Sequence, residues 1–309
     1  MNLEAFILGT GGMMPLPRRF LTSLLLRREG DLFLFDCGEG TQISLKMLNL
    51  RWKKITSIFI SHMHADHVTG LPGMLMLSSQ VDRDEPLHIY GPNRIKQYIE
   101  ETRRTLDMYI NYDIIIHEIE GEQTIVDHEE YTISCFPLNH TKPCLGYTLA
   151  ERMRPGVFHP EHAASAGVPK GPMWSDLQKG ESVTLSDGRI VTPEEVMGPP
   201  RRGRKFTFVT DTSYLPEISQ FASGSDLFIC EGMFEHSLEE TAREKKHLTA
   251  AQAGRIAAEA YEVKKMGLIH YSPRYTDRDL KLLLDEAREY FPDTFLCRDR
   301  QKIDIHYCD

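Results

Sequence analysis

Apolar positions fall into short runs separated by turn-forming residues, and the first 61 residues hold four of them. LEAFILG (Leu3 to Gly9), LTSLLLR (Leu21 to Arg27), LFLFDCG (Leu32 to Gly38) and ITSIFIS (Ile55 to Ser61) are rich in Leu, Ile and Phe. Runs this short, broken by Gly and charged turns such as REGD, predict strands of a sheet built early in the chain. The pattern changes to a helical one in TQISLKMLNL and, after the strand-like LHIYGP, in NRIKQYIEETRRTLDMY. The second half repeats this alternation. YTISCF, KFTFVTD, DLFICEG and KKMGLIHY read as strands, LTAAQAGRIAAEAYEV and DRDLKLLLDEAREYF as helices. Alternation in both halves predicts a layered α/β fold with helices outside a buried sheet or pair of sheets.

The pattern breaks between about Glu151 and Arg204, a stretch dense in Pro and Gly and without long apolar periodicity. An irregular excursion of that length inside a domain is usually a functional loop or a disordered one. The 309 residues are therefore read as one core with an insertion at about 151–204. Apolar residues at 41% and charged residues at 26% are ordinary for a folded, soluble chain. The six cysteines, Cys37, Cys135, Cys144, Cys230, Cys297 and Cys308, are far apart and form no CxxC pair. They read as reduced, mostly buried thiols rather than a disulfide frame or thiolate metal site. MNLEAFILGTGG has no basic leader pattern, and no apolar run approaches the roughly 18 residues of a membrane span. A cytoplasmic protein without membrane contact is expected.

A formal net charge of −9 argues against binding nucleic acid through bulk attraction. It leaves room for a local patch, and PPRRGRK places four cations between Arg201 and Lys205.

The candidate chemistry lies in FISHMHADHVTGLPG, where His62, His64, Asp66 and His67 leave the end of a buried strand. Ligand sites gather at the carboxyl ends of strands in α/β sheets. Imidazole and carboxylate donors without thiolate suit a catalytic zinc or another first-row divalent metal. His140 after YTISCFPLN, Asp211 after KFTFVT and His270 after KKMGLI repeat that placement. The seven residues together are enough for two metals sharing a carboxylate. GTGG (Gly9 to Gly12) does not complete a GxGxxG phosphate loop, because Met14 occupies the last position, so no nucleotide cofactor is expected. Gly38 and Gly40 read as turn glycines that let the backbone pass close to the metals. His88, His117, His128, His236 and His306 lack ligand-like neighbours, and His159 and His162 lie in the irregular stretch.

HMHADHVTGLPG, LNHTKPCLGY, FVTDT and LIHYSPRY resemble the ordered motifs of the metallo-β-lactamase fold. GTGGMMPLPRR, FDCGEGTQ, GVPKGPMWSDLQKGESV and AREKKHLTAAQA extend the resemblance along nearly the whole chain, to the bacterial ribonuclease Z family. It implies a four-layer αββα sandwich and an endonuclease that trims the 3′ end of precursor tRNA, leaving a 3′-hydroxyl on the tRNA and a 5′-phosphate on the trailer. It implies two Zn2+ per subunit, with Mn2+ or another divalent metal as substitute: His62, His64 and His140 on one, Asp66, His67 and His270 on the other, Asp211 bridging. Asp66 also has a catalytic role in the family, on the attacking water, and His247 is the proton donor. The family motif HST reads His247-Leu248-Thr249 here, and Ile269 stands where Thr is usual before the last histidine. Thr249 followed by Gln252 forms a capping box that seats His247 just outside a helix N-terminus. The resemblance further implies that the insertion is an arm gripping the tRNA elbow, with PPRRGRK meeting phosphates at its base, and that the protein is a homodimer. Two other readings stand beside it: a metallo-β-lactamase-fold phosphodiesterase or arylsulfatase acting on small substrates, which needs no arm, and an RNA-binding module with a structural metal, which needs no His247.

Overall fold

The computed structural model describes residues 2–80, 83 and 85–307. The expected strands all form, at nearly the expected places. They are β1 (Leu3–Gly9), β2 (Ser23–Arg28), β3 (Asp31–Phe35), β4 (Ile55–Phe59) and β5 (Leu87–Gly91) in the first half. β6 (Ile114–Glu118), β7 (Gln123–Asp127), β8 (Tyr131–Asn139) and β9 (Pro143–Glu151) follow. β10 (Val183–Thr184) and β11 (Ile190–Val191) lie in the insertion. β12 (Lys205–Val209), β13 (Leu227–Glu231), β14 (Met266–Ile269), β15 (Thr294–Leu296) and β16 (Lys302–Asp304) complete the chain.

Two seven-stranded sheets result, in the orders β16-β1-β2-β3-β4-β5-β6 and β15-β14-β13-β12-β9-β8-β7. Within the first, β3 to β6 run parallel, with Phe59 paired to Phe35 and to Tyr90. Within the second, β12 to β15 run parallel, with Val209 opposite Cys230 and Glu231 opposite Ile269. Aromatic side chains fill the space between the sheets: Phe35 and Phe59 meet Tyr147, Phe206 and Phe208 at ring distances of 5.4 to 5.9 Å. The outer faces are covered by helices. Leu45, Leu71, Leu75, Ile95 and Ile99 from Thr41–Met47, Leu71–Ser78 and Ile95–Thr105 close one core. Ile218, Ala253, Ile256, Leu283 and Ala287 from Ile218–Ala222, Ala250–Glu259 and Leu280–Arg288 close the other. The layers are thus helix, sheet, sheet, helix, the four-layer sandwich expected.

Strand β9 escapes the pattern reading because it begins on Pro143 and contains Gly146. A Cβ at Gly146 would lie 2.5 Å from the Phe136 ring, so the glycine is what lets that ring pack across the β8–β9 pair.

Chain contacts divide the molecule into two units: residues up to 127, 133–149 and 205–306, and residues 128–132, 150–204 and from 307 on. The second unit corrects the expectation of an irregular loop. It holds the short helices Pro160–Ser165, Pro172–Gln178 and Pro193–Val196 and the β10–β11 hairpin. Ala163, Val168, Leu177, Val183, Leu185, Val191 and Val196 form a core of its own, with Phe158 and Trp174 against it. Elements of two to seven residues are too short to show a period. Its neck is narrow: Arg154 and Arg201 exchange backbone hydrogen bonds of 2.9 and 2.7 Å, and the Gly198 N–H donates to the Val157 carbonyl at 2.7 Å. A Cβ on Gly156 would strike the Gly198 carbonyl, so only glycine permits this close approach.

The cation run at the end of the insertion is not a free phosphate patch. Arg204 is buried and makes a bidentate pair with Glu151, both contacts 2.8 Å, and the Arg154 and Arg204 guanidinium groups both lie on the Tyr307 ring. Lys205 Nζ donates to the Ser223 carbonyl. Residues 151–204 carry eight Lys or Arg against seven Asp or Glu, so the insertion is close to neutral.

Candidate metal centre

Carboxyl ends of strands from both sheets deliver the expected residues to one place. His62 follows β4, and His64, Asp66 and His67 lie at or in the one-turn helix Ala65–Val68. His140 follows β8, Asp211 follows β12 and His270 follows β14. Glycines allow this crowding. A Cβ on Gly38 would lie 2.5 Å from the Asp66 carbonyl oxygen, and one on Gly12 2.6 Å from the His270 ring.

Three groups of ligand atoms form, each within 4.8 Å: His62, His64, His140 and Asp211; Asp66, His67 and His270; and Asp211, His247 and His270, which overlaps the first two. Asp211 Oδ2 is 3.6 Å from His62 Nε2 and 3.7 Å from His140 Nε2. Its other oxygen, Oδ1, is 3.3 Å from His67 Nε2 and 3.2 Å from His270 Nε2. Asp66 Oδ2 lies 3.4 Å from His270 Nε2 and 3.7 Å from His67 Nε2. Ring nitrogens face one another: His62 Nε2 and His64 Nδ1 at 2.9 Å, His140 Nε2 and His64 Nδ1 at 3.1 Å, His67 Nε2 and His270 Nε2 at 3.2 Å.

A divalent cation fits these donors. Ligand atoms about 2.0–2.1 Å from a tetrahedral zinc stand roughly 3.3 Å apart, which is the spacing seen. Asp211 Oδ1 is buried and accepts no hydrogen bond, which is costly for a carboxylate oxygen that has nothing to bind. Two of the ring nitrogens not aimed inward are tied down, while His270 Nδ1 is buried without a hydrogen-bond partner among the described residues. His67 Nδ1 donates to Asp36 Oδ2 at 2.7 Å and His140 Nδ1 to the Lys246 carbonyl at 2.8 Å, so the proton sits there and Nε2 offers its lone pair. Burial pushes His62 well below the usual histidine range and His140 down to about 4, keeping both rings neutral as ligands must be. At His67 burial acts the same way, but the Asp211, Asp36 and Asp66 carboxylates outweigh it and hold a proton on the ring. That is the electrostatic demand a cation satisfies.

His247 is buried beside this cluster. The capping box forms as expected: Thr249 Oγ1 accepts from the Gln252 N–H at 3.2 Å, and Gln252 Oε1 from the Thr249 N–H at 3.0 Å. His247 Nδ1 meets Glu231 Oε2 at 3.0 Å. Burial disfavours the charged ring, yet the Glu231 carboxylate raises it to about 9. Leu248, where the family motif has a hydroxyl, is fully buried in the helix-covered core.

Sequence reasoning missed the supporting carboxylates. Asp36 accepts from the Ser61 N–H at 2.7 Å and the Ser61 hydroxyl at 2.8 Å besides His67. Glu231 accepts from the Thr212 N–H at 2.7 Å besides His247. Both stand where an apolar run ends, at β3 and β13, the same signal that singled out Asp211. Met13 was missed too, and its N–H donates to Asp66 Oδ2 at 2.6 Å. Of the histidines set aside, His88 and His117 stack on adjacent strands with ring nitrogens 3.1 Å apart, away from the cluster residues.

Comparisons with known proteins complete this description. A family profile described as Anti-Pycsar protein Apyc1 matches residues 3–154, just under half of the chain and short of Asp211, His247 and His270. A curated ribonuclease Z from Treponema denticola is 63% identical over all 309 residues, covering 100% of both chains. One from Treponema pallidum is 60% identical over 307 residues, 99% of each. Among solved structures, the short form of human tRNase Z is 25% identical with a TM-score of 0.72, covering 98% of this chain and 99% of that one.

Proposed function

The chain belongs to the ribonuclease Z family, the tRNA 3′-processing endoribonucleases, and from that premise we propose that it cuts precursor tRNA at a centre of two divalent cations, zinc by preference. His62, His64 and His140 would hold one, Asp66, His67 and His270 the other, and Asp211 would give one oxygen to each. What supports this most is that single shared carboxylate, with four histidine nitrogens within 3.7 Å of its two oxygens.

Bound there, the cations supply a strong nucleophile from water at neutral pH and neutralise charge on the phosphate. The remaining roles belong to side chains. Asp66, fixed by the Met13 N–H, orients the attacking water and takes its proton. His247, kept charged by Glu231 and placed at the same cluster, gives a proton to the departing 3′-oxygen as the P–O3′ bond breaks. The tRNA then ends in a 3′-hydroxyl and the trailer begins with a 5′-phosphate.

Residues 151–204 act in this proposal as the tRNA-binding arm of a single-domain chain. Being near neutral, the arm would recognise the folded shape of tRNA more than its charge. The family resemblance supports a homodimer. The described cysteines, Cys37, Cys135, Cys144, Cys230 and Cys297, are all free and buried, which supports a reducing, cytoplasmic setting; Cys308 lies outside the described residues. No helix among the described residues is long and apolar enough to cross a membrane.

The test is incubation of the metal-loaded protein with a precursor tRNA carrying a 3′ trailer, beside Asp66→Ala and a deletion of residues 157–197 that joins the adjacent Gly156 and Gly198. Specific trailer removal by wild type, loss with Asp66→Ala, and loss of tRNA cleavage with small-diester cleavage kept in the deletion are expected. Undiminished tRNA cleavage by the deletion would refute the arm.

A further inference from the structure

Beside the metal cluster lies a cavity of about 540 Å3 that the proposed mechanism does not use. Met63, between His62 and His64, and Pro143 and Tyr98 give it apolar walls, and Arg94 and Lys142 stand at its rim. It is tied to the cluster at two points. The Tyr98 hydroxyl donates to the Val68 carbonyl at 3.2 Å, on the turn that carries Asp66 and His67. Thr141 Oγ1, next to Lys142, lies 3.4 Å from His64 Nε2.

Neither the Arg94 guanidinium nor the Lys142 ammonium has a hydrogen-bond or ion-pair partner among the described residues. In a chain of net charge −9, two uncommitted cations beside a cluster of carboxylates are the place for an anion. The neighbouring acids are engaged: Glu118 accepts from the Arg94 N–H at 2.7 Å and Glu101 from Gln97 Nε2 at 3.0 Å. A second hollow of about 330 Å3 shares Asn93, Arg94, Gln97 and Glu101 with the first and continues along the helix past Lys96, Glu100, Arg104 and Glu118, with acids and bases balanced, so the excess of cations is in the first cavity.

We infer that this groove holds the first nucleotides of the RNA trailer downstream of the cut, with phosphates on Lys142 and Arg94 and an unstacked base against Met63 and Tyr98. The inference rests on the endonuclease reading above and adds a subsite to it. A groove lined on one side by a single helix, starting at the metal ligands and running outward, fits a flexible single strand. It does not fit a duplex, whose bases are not free to enter. Stacking on side-chain faces is tolerant of base identity, so the subsite gives the enzyme grip on trailers of any sequence.

The experiment compares precursor tRNAs with trailers of one, two, four and eight nucleotides, using the metal-loaded wild type and the Arg94→Gln/Lys142→Gln double variant. Each kcat/KM is taken relative to that for bis(p-nitrophenyl) phosphate, a diester too small to span the groove. For wild type the ratio rises with trailer length, roughly tenfold or more between one and four nucleotides, and then levels. In the double variant the rise is flattened. The slope of log kcat/KM against log salt on the longer trailers falls by about 1.4, the value for two phosphate charges on a single strand. Met63→Ala lowers the plateau without changing the salt slope. A length dependence and salt slope in the double variant equal to those of wild type would overturn the inference. So would a wild type indifferent to trailer length. A wild type that hydrolyses the small diester but leaves every precursor tRNA intact would overturn the endonuclease reading itself, and the subsite with it.

Discussion

Asp36→Asn changes one atom of a residue that touches no candidate ligand atom. Asp36 is fully buried and accepts three hydrogen bonds, from the Ser61 N–H at 2.7 Å, the Ser61 hydroxyl at 2.8 Å and His67 Nδ1 at 2.7 Å. An amide keeps one acceptor and brings two donors. With its oxygen toward the Ser61 N–H, its NH2 faces His67 Nδ1, and the ring must move its proton to Nε2, the atom aimed at Asp211. Turned the other way, the NH2 faces the Ser61 N–H and two donors collide. Either outcome leaves a buried group unsatisfied, at a cost of about 1–3 kcal/mol. Loss of a carboxylate behind a metal-bound histidine costs 10–100-fold in metal affinity, or about 1.4–2.7 kcal/mol, which agrees. The backbone is not a confounder. Asp36 sits at φ 53°, a region Asn tolerates as well. The assay is a zinc titration of chelator-stripped protein against a chromophoric competitor, with thermal unfolding measured in parallel. Binding at the Asp66, His67 and His270 side should weaken by that factor, and the His62, His64 and His140 side by less. Two affinities within threefold of wild type would refute the argument that Asp36 fixes the His67 tautomer.

Three further outcomes follow from the geometry. Glu231→Gln removes the carboxylate that raises His247 to about 9. A proton donor works only below its pKa, so the alkaline fall of kcat on precursor tRNA should move down from near pH 9, though Asp211 and Asp66 still favour the charged ring; an unmoved limb would exclude His247 as the donor. Gly12→Ala puts a methyl 2.6 Å from the His270 ring, and activity should fall at least about tenfold with the circular dichroism spectrum kept. Gly254→Val drives a side chain into the Ala287 carbonyl, 2.4 Å from the added Cβ. It should destabilise by about 1–3 kcal/mol or more by denaturant midpoint, with activity per folded molecule unchanged.

How much of this was legible depended on the length of each signal. Strands such as Leu3–Gly9 and helices such as Ala250–Glu259 are long enough to show their period, and the candidate ligands announced themselves behind apolar runs, His62, His64, Asp66 and His67 as a cluster and His140, Asp211 and His270 singly. Asp36 and Glu231 end such runs too, but a single carboxylate says nothing until its histidine is near, and 31 and 16 residues separate those partners. The insertion was misread because a core assembled from Ala163, Leu177 and Val191 comes from pieces with no repeat. PPRRGRK looked like a phosphate patch because Glu151, which neutralises Arg204, lies 53 residues upstream.

The neck at Gly156 and Gly198 has an evolutionary consequence. The chain leaves and re-enters at touching residues, so what is hung between them alters neither the strand pairing nor the ligand geometry of the remainder. On the arm reading proposed above, a change of substrate comes from swapping one cassette while the hydrolytic engine is inherited intact. The cost of closing that loop grows only slowly with its length, so long and short cassettes are nearly equally admissible.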